Sequence, residues 1–310
     1  MLNLATVIIP CFNVGKYITE CLESVKEQDC VHKTLVVDNN SQDDTIAQVK
    51  AWQQKHPNFP LALLHEKNQG APAARNAALS FVETKWVQFL DADDLLLPNK
   101  ISDQINLYPN ADVICGGAYF RFLDGTEETA APEENIPIAL IKGNAGNTCS
   151  NLFSALSLKT IQGWDETLKS SQEYDLMFRL WKAGASFSID STPRALIRQR
   201  VHGQISTSNR QENLKRYLKL REQMLQEFKE RGVLNNQEVK ICLQQIFDSL
   251  RILAKSDLSY AIKLHSRIYP KTFQPSVNAT NSQLYIQAYK LFGFRLAEKI
   301  KKWVTNCFYK

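Results

Sequence analysis

The sequence predicts an α/β protein with a mostly parallel sheet flanked by helices, followed by a helical C-terminal region. Short β-branched runs alternate with segments of helical periodicity over the first 120 residues, as strands and helices do around a parallel sheet. Past residue 210 the β-branched runs vanish, and Glx, Lys and Leu dominate. The 310 residues are 44% hydrophobic and 22% charged, which excludes disordered and fibrous classes. We predict two domains, over 1–210 and 211–310.

The individual elements follow from local patterns. Apolar runs predict strands over 6–11, 34–38, 61–65 and 86–94. Between them, helices are predicted over 18–25, from Ser41 onward, where the spacing to Asp44 is that of a capping box, and over 71–81. Farther along, the pattern predicts a strand over 111–122 and helices over 170–183, 237–255 and 283–308. Because parallel sheets bind ligands at the carboxyl ends of their strands, the site is expected there.

Charge is distributed unevenly along the chain. Residues 1–209 carry 18 Lys and Arg against 24 Asp and Glu, whereas residues 210–310 carry 19 against 8. Acidic clefts suit cations, and basic helical tails suit phosphate-bearing surfaces such as anionic lipid. Nucleic acid is not expected as a partner, because the sequence contains no basic patch interleaved with aromatic residues.

The composition also bears on the compartment. Seven cysteines without a C-x-x-C pair predict neither a disulfide framework nor a zinc site. Met1 leads straight into an apolar strand without a basic leader, and the apolar runs stay far below the roughly 20 residues of a spanning helix. We expect a cytoplasmic protein.

The strongest chemical signal is the run Asp91-Ala92-Asp93-Asp94 directly after an apolar strand. Alternate residues of an extended chain point the same way, so Asp91 and Asp93 can face one cation. Carboxylate oxygens are the preferred ligands of hard divalent ions, which keep positions open for phosphate. The alternative is a polar turn in which Asp94 caps the next helix.

Three further segments suggest a nucleotide site, although each has a simpler explanation. Residues 10–13 leave an aromatic ring and an amide at a strand end, and Asp38 ends the second strand. In the third segment, 65–79, Gly70 permits close backbone approach, and the helix that follows favours anions. Arg75 in that helix serves the nucleotide or makes a surface ion pair. Asp43 and Asp44 are interpreted as first-turn helix charges.

Together these residues resemble glycosyltransferase family 2 over roughly residues 4–210. The resemblance rests on strand 6–13, Asp38 with Ser41, Asn68-x-Gly70 with Arg75-Asn76, the Asp91-Ala92-Asp93 triplet and the stretch 163–180. It implies the GT-A (Rossmann-like) fold and an inverting transferase that uses a nucleotide sugar and Mn²⁺ or Mg²⁺. The nucleotide residues it implies are Pro10, Cys11, Phe12, Asn13, Asp38, Asn68, Gly70, Arg75, Asp91 and Ala92. The metal ligands it implies are Asp93, Asp91 and His202.

The family normally carries a Glu-Asp pair near the start of the helix at 170–183, and its second acid is the general base. Here the pair is Gln172-Glu173, so the resemblance implies Glu173 as the base and Asp175 as the reserve. Alternatively, Ser170 and Glu173 form a capping box. His202 lies in a stretch, 200–208, that resembles the family's closing loop, and its alternative is an ordinary solvent-facing histidine.

The resemblance implies a non-processive enzyme that moves a sugar, often from UDP, to a glycan or lipid-linked glycan, as in cell-surface polysaccharide assembly. The Gln-x-x-Arg-Trp motif of processive members is absent. The alternatives are an inactive nucleotide-sugar-binding scaffold, for which Gln172 leaves room, and a nucleotidyltransferase. An NAD enzyme is excluded by the lack of G-x-G-x-x-G after a strand.

The last helix has an apolar face with basic residues beside it. The face consists of Phe292, Leu296, Ile300, Trp303 and Cys307, and the basic residues are Arg295, Lys299 and Lys302. Such a helix either lies in the interface of an anionic membrane, on the cytoplasmic side, or packs within its own domain.

Overall fold

The computed structural model describes residues 4–199 and 209–308, with the backbone alone over 304–308. His202 and the rest of 200–208 lie outside the described residues, as does the side chain of Cys307. The chain divides into two compact units. The described residues of 1–139 and 143–204 form unit 1, and those of 140–142 and 205–310 form unit 2. The domain boundary near residue 210 stays a prediction.

The described residues of unit 1 contain nine strands in one sheet. The strands are β1 (Ala5–Cys11), β2 (Val31–Asp38), β3 (Leu61–His65), β4 (Trp86–Phe89), β5 (Leu95–Leu96), β6 (Val113–Arg121), β7 (Glu127–Ala130), β8 (Leu152–Ser154) and β9 (Phe187–Arg198). The helices of this part of the chain are α1 (Ile18–Lys26), α2 (Thr45–Lys55), α3 (Ala71–Leu79), α4 (Lys100–Leu107), α5 (Ile136–Lys142), α6 (Ala155–Thr160) and α7 (Gln172–Lys182).

The sheet has a parallel half and a mixed half. Its order is β3-β2-β1-β4-β8-β6-β9-β5, with β7 paired to β6. The strands β3, β2, β1 and β4 are mutually parallel, which confirms the predicted sheet. β8 then runs antiparallel to both β4 and β6. The apolar side chains of β1, including Val7 and Ile9, are fully buried, as expected for a strand covered on both faces.

The strand register brings the predicted site to one edge. Cys11 pairs with Asp38, and Asp38 pairs with His65. Ile8 pairs with Phe89, so the chain leaves β4 beside the end of β1. The carboxyl ends of four strands therefore meet.

Two predicted boundaries were wrong at this edge. α2 begins at Thr45 with Asp44 as its N-cap residue, so no helix starts at Ser41. β4 ends at Phe89 instead of extending to residue 94, because the backbone turns there: the amide of Asp94 donates to the carbonyl of Asp91 at 2.9 Å. In both places polar side chains that bond to neighbouring loops replace regular structure.

Unit 2 is helical, and its elements are α8 (Arg210–Glu230), α9 (Asn236–Ala254), α10 (Leu258–Ile268) and α11 (Gln283–Phe308). α9 matches its predicted helix, and α11 has the predicted range but is kinked at Gly293, whose backbone is not helical (φ 70°, ψ 175°). α10 was not predicted. The ring of Phe247 contacts those of Tyr269, Tyr289 and Phe294 in the core of this unit. Among the described residues, no helix combines the length and apolar character that crossing a bilayer requires.

Candidate active site

The loop after β1 is tied to the loop after β2. Asn13 adopts a left-handed backbone (φ 52°). Its amide donates to the Ser41 hydroxyl at 3.1 Å, and its side-chain oxygen accepts from the Gln42 amide at 2.8 Å. Phe12 is 48% exposed beside it. Ser41 thus connects the two loops instead of starting a helix. In this arrangement the Phe12 ring stays exposed to solvent.

Asp43 also connects the loop after β1 with the loop after β2. Its carboxylate accepts from the amides of Gly15 and Thr45, both at 3.0 Å. A Cβ on Gly15 would lie 1.9 Å from the Asp44 carboxylate, so the close approach requires glycine. Asp44 is the N-cap residue of α2 but makes no capping hydrogen bond with its side chain. The prediction of first-turn helix charges was therefore wrong for Asp43, which holds the Gly15 backbone.

Asp38 is buried at the end of β2. Its carboxylate lies 3.1 Å from Nδ1 of His65, at the end of β3, and accepts from the Ser41 amide at 3.3 Å. The side chain is only 3% exposed, whereas that of His65 is 52% exposed. His65 was not among the predicted site residues.

Asn39 organises the loop that carries Asn68 and Gly70. Its side-chain nitrogen donates to the carbonyls of Glu66 and Asn68, both at 2.8 Å. Its oxygen accepts from the Gly70 amide at 2.7 Å. Asn39 was not among the predicted site residues, although its place directly after Asp38 at a strand end was a usable signal.

Arg75 is buried in α3, beneath the carboxyl ends of the strands. Its Nη2 donates to Oδ1 of Asp91 at 2.6 Å, and its guanidinium lies 4.4 Å from the centre of the Trp164 ring. Its Nε has no hydrogen-bond partner among the described residues. The residue is only 5% exposed, so the alternative of an exposed surface ion pair was wrong.

Trp164 is held in place by α3 and by the core. Its amide and carbonyl form a pair of 2.8 Å hydrogen bonds with the side chain of Asn76. Its ring meets that of Phe89 edge-on. Trp164 lies in the stretch 163–180 that carries the family resemblance, but it was not among the predicted site residues, since it lies 89 positions beyond Arg75.

The acidic run is a turn, so the expected extended geometry of Asp91 and Asp93 was wrong. The Asp94 carboxylate accepts from the Arg198 amide at 2.8 Å and from the Cys149 thiol at 3.2 Å. It does not cap α4, whose N-cap residue is Asn99. The carbonyl of Asp93 accepts a short hydrogen bond from the Arg198 side chain.

Negative charge is concentrated around the end of β1. Burial raises the pKa of the Cys11 thiol, and the charges of Asp38, Asp43, Asp91 and Asp93 raise it further. Burial also raises the pKa of Asp94 well above its usual range, with added repulsion from Asp93 and Asp91. Asp91 and Asp93 therefore repel the Asp94 carboxylate, and a bound cation would relieve this repulsion.

One group of potential ligands meets the distance requirement for a metal ion. Among the described residues, Asp91, Asp94 and Cys149 each offer an atom within 4.8 Å of the others. Burial raises the pKa of the Cys149 thiol well above its usual value, which disfavours the thiolate that a soft metal needs. The oxygen donors fit Mn²⁺ or Mg²⁺ better.

Glu173 lies in the first turn of α7. The N-cap residue of α7 is Ser171, whose side chain makes no capping bond, so the alternative in which Ser170 is the capping residue was wrong. Oε1 of Glu173 is buried and lacks a hydrogen-bond partner among the described residues. Burial raises the pKa of Glu173 to about 8. The charge of Asp91 adds to the rise, while Arg75 and a hydrogen bond with Thr148 oppose it.

Asp175, the reserve candidate, is engaged in an ion pair. Its carboxylate lies 2.7 Å from Nε of Arg179, and its side chain is 18% exposed. The side-chain nitrogen of Gln172, in the position of the family's first acid, donates to the Leu168 carbonyl at 2.7 Å. Of the three polar residues at 172, 173 and 175, Glu173 alone has a buried oxygen without a hydrogen-bond partner among the described residues.

The chain is similar to known glycosyltransferases in sequence and in fold. The sequence matches glycosyl transferase family 2 over residues 6–158. An uncharacterized glycosyltransferase of Rickettsia prowazekii (strain Madrid E) is 27% identical over 230 residues, 69% of each chain. S. aureus TarS 1–349 in complex with UDP-GlcNAc has a TM-score of 0.65 at 18% identity, covering 96% of this chain and 91% of that one. The mannosyltransferase PcManGT from Pyrobaculum calidifontis, in complex with GDP-Man and Mn²⁺, has a TM-score of 0.53 at 17% identity, covering 100% and 88%.

The strand order, the acidic strand end and these likenesses lead to one assignment. Residues 6–158 form a glycosyltransferase family 2 domain, and the chain is a glycosyltransferase with the GT-A fold.

Proposed function

We propose that the chain is an inverting, metal-dependent and non-processive transferase. It moves one sugar per encounter from a nucleotide sugar, a UDP-sugar, to a glycan or lipid-linked glycan acceptor, as in cell-surface polysaccharide assembly. One observation carries the proposal. Oε1 of Glu173 is buried without a hydrogen-bond partner within the described part of the chain, and the pKa of Glu173 is about 8, to which the charge of Asp91 contributes. A general base needs a free oxygen and a pKa near the working pH.

The nucleotide is assigned to the edge where the strands end. Phe12 offers an exposed ring for the base, and Asp38 offers a buried carboxylate as hydrogen-bond acceptor. Asn39 holds the loop of Asn68 and Gly70 close by. The full set that we propose is Pro10, Cys11, Phe12, Asn13, Asp38, Asn68, Gly70, Arg75, Asp91 and Ala92. The UDP-GlcNAc of TarS and the GDP-Man of PcManGT support a nucleotide sugar as donor.

Asp91 and Asp93 are proposed to hold Mn²⁺ or Mg²⁺, with Asp94 as a further carboxylate close by and His202 as a third ligand. The Mn²⁺ complex of PcManGT and the concentration of carboxylates around Cys11 support this. When bound, such an ion supplies positive charge that offsets the charge developing on the leaving diphosphate.

The chemical step is a direct displacement. The acceptor hydroxyl gives its proton to Oε1 of Glu173 while its oxygen bonds to the anomeric carbon. The bond from that carbon to the diphosphate oxygen breaks, and the electron pair leaves with the nucleotide. Attack opposite the leaving group inverts the configuration. Arg75, stacked on Trp164, adds a fixed positive charge beside Asp91.

Glu173→Gln is the direct test, because it keeps the shape of the side chain and removes the base. We expect transfer to fall about 10²–10⁴-fold, with unchanged affinity for UDP in the presence of Mn²⁺. Transfer is measured against a panel of UDP-sugars, and affinity by calorimetry. The same substitution at the exposed Glu128 on β7 is the matched control and should leave both quantities unchanged.

The alternatives give different results. If Glu173→Gln turns over as fast as Glu128→Gln, then Glu173 is not the base, and loss of transfer in Asp175→Asn instead would assign the role to Asp175. Because Gln172 replaces the family's first acid, an inactive scaffold remains the second candidate. A wild-type chain that binds UDP and Mn²⁺ but neither hydrolyses nor transfers any donor would establish it.

We place the reaction in the cytoplasm, at its membrane face. The six described cysteines are all free, as is usual for a reducing compartment.

A further inference from the structure

The last helix carries exposed apolar side chains that form a continuous line. The helical backbone breaks at Gly293 (φ 70°, ψ 175°), so Phe292 of the predicted face precedes this line. The apolar stripe consists of Leu296, Ile300 and Trp303, which are 47%, 40% and 68% exposed. Residues spaced by three or four positions lie on one face of a helix. Six of the 16 large hydrophobic side chains exposed among the described residues belong to α11, so this helix is the main apolar surface of unit 2.

The opposite face of α11 is already packed. Phe294 is buried against Phe247. Glu298, 6% exposed, forms a 2.6 Å ion pair with the buried Arg251, whose guanidinium lies 3.3 Å from the centre of the Tyr285 ring. Internal packing therefore uses one face of the helix and leaves the apolar stripe open.

Positive charge lies along one side of the stripe. At about 100° per residue, Arg295, Lys299 and Lys302 follow a line between the apolar stripe and the buried Glu298. All three are exposed, and Glu298, the one acid within Gln283–Trp303, is buried in its ion pair. The exposed side of this helix thus combines apolar and purely cationic side chains.

We propose that this face of α11 docks on an anionic membrane, with the apolar stripe among the acyl chains and the three cations at the lipid phosphates. A bilayer satisfies both halves of the surface. A second copy would satisfy only one, because a two-fold contact through the stripe brings equivalent cationic lines close together.

The test uses the full chain and vesicles of phosphatidylcholine with or without phosphatidylglycerol. The wild type should co-sediment with the anionic vesicles and much less with the neutral ones. The triple variant Arg295→Glu, Lys299→Glu, Lys302→Glu should lose binding by on the order of a hundredfold or more, given three basic contacts. Leu296→Ser with Ile300→Ser should also lose it. Emission of Trp303 should shift to the blue on binding, and Trp303→Phe should abolish that shift.

The controls are matched in chemistry and exposure. Lys219→Glu, Lys229→Glu and Lys240→Glu change three exposed lysines of α8 and α9, and Leu156→Ser changes a leucine that is 75% exposed on α6. These variants should bind like the wild type. Equal binding of the α11 and control variants overturns the proposal. A second outcome also overturns it: the wild type is a dimer that does not bind anionic vesicles, and Leu296→Ser with Ile300→Ser dissociates this dimer. The apolar stripe would then join two copies of the chain.

Discussion

At the scale of single residues, Glu173 is an ionisable group, and its surroundings keep part of its population protonated and neutral near pH 7. Burial raises its pKa to about 8 against the charge of Arg75. Because the folded protein then holds a proton that the unfolded chain releases near pH 4.5, Glu173 makes stability depend on pH.

We predict a stability difference between Glu173→Gln and the wild type that changes with pH. From about pH 4.5 to about pH 8, the folded state binds more protons than the unfolded state, so wild-type stability falls as pH rises. Glutamine does not titrate. The free energy of unfolding of the variant should therefore rise relative to that of the wild type across this window, and the difference should stay constant above it. Urea unfolding in EDTA measures the difference.

The control for this effect is Glu128→Gln, whose difference from the wild type should stay flat over the same window. A flat difference for Glu173→Gln as well would mean that Glu173 ionises normally in the folded chain, and it would remove the reason for treating it as a poised base.

The sequence allowed prediction of some site residues and not of others. Asp38 and Asp91 were predictable, because each follows a buried strand, and strand ends meet at one edge of a parallel sheet. Trp164 and Cys149 contact the site from parts of the chain without strand-end signals. Their contribution depends on three-dimensional packing, which local pattern does not encode.

At the scale of elements, the loop after β3 is positioned mainly by one side chain from the neighbouring strand. The Asn39 side chain both donates and accepts hydrogen bonds within this loop. An aspartate at this position could accept from the Gly70 amide but could not donate to the two carbonyls. We predict that Asn39→Asp destabilises unit 1 by about 1–3 kcal/mol, because the buried Asn39 side chain can no longer donate to two partly buried carbonyls. Urea unfolding and amide exchange at Gly70 measure the loss.

The next residue provides the matched control. The Asn40 side chain donates to the Lys67 carbonyl at 3.0 Å, but this bond is exposed. Asn40→Asp should change stability by no more than about 0.5 kcal/mol. Equal losses in the two variants would show that burial of the Asn39 bonds contributes nothing.

Elements were predictable where periodicity was long or apolar runs were continuous, and their ends were not. α9 and the parallel strands were found, whereas Ser41 and residues 90–94 were assigned to the wrong element. In those segments side chains such as Asp43 and Asp94 satisfy backbone donors from distant loops. Such bonds compete with regular structure. The strand β8 joins the two halves of the sheet but has only three residues. This length is too short to show the alternation of side chains from which a strand is predicted.

At the scale of the whole molecule, the proposed donor site belongs entirely to unit 1. We predict that UDP with Mn²⁺ slows amide exchange at the ends of β1 and β2 and in residues 66–70, and leaves α9 and α10 unchanged. Binding at 100 times the dissociation constant stabilises the folded state by about 2.7 kcal/mol. Hydrogen exchange followed by mass spectrometry resolves the two units.

Two comparisons make this result specific. UDP with EDTA should protect less, and Asp91→Asn with Asp93→Asn should lose the metal-dependent part. Protection that appears in α9 or α10 instead, or that is the same in the double variant, would contradict the assignment of the carboxylates.

The bonds between Asn76 and Trp164 have a consequence for protein engineering. The matched family region ends at residue 158, which is a natural cut for a chimera that exchanges the part of the chain after this residue between enzymes. That cut separates α3 from the tryptophan on which Arg75 stacks and to which Asn76 is bonded. A transplant would therefore have to carry positions 75 and 76 with it, or the grafted glutamate would arrive without the neighbours that tune its acidity.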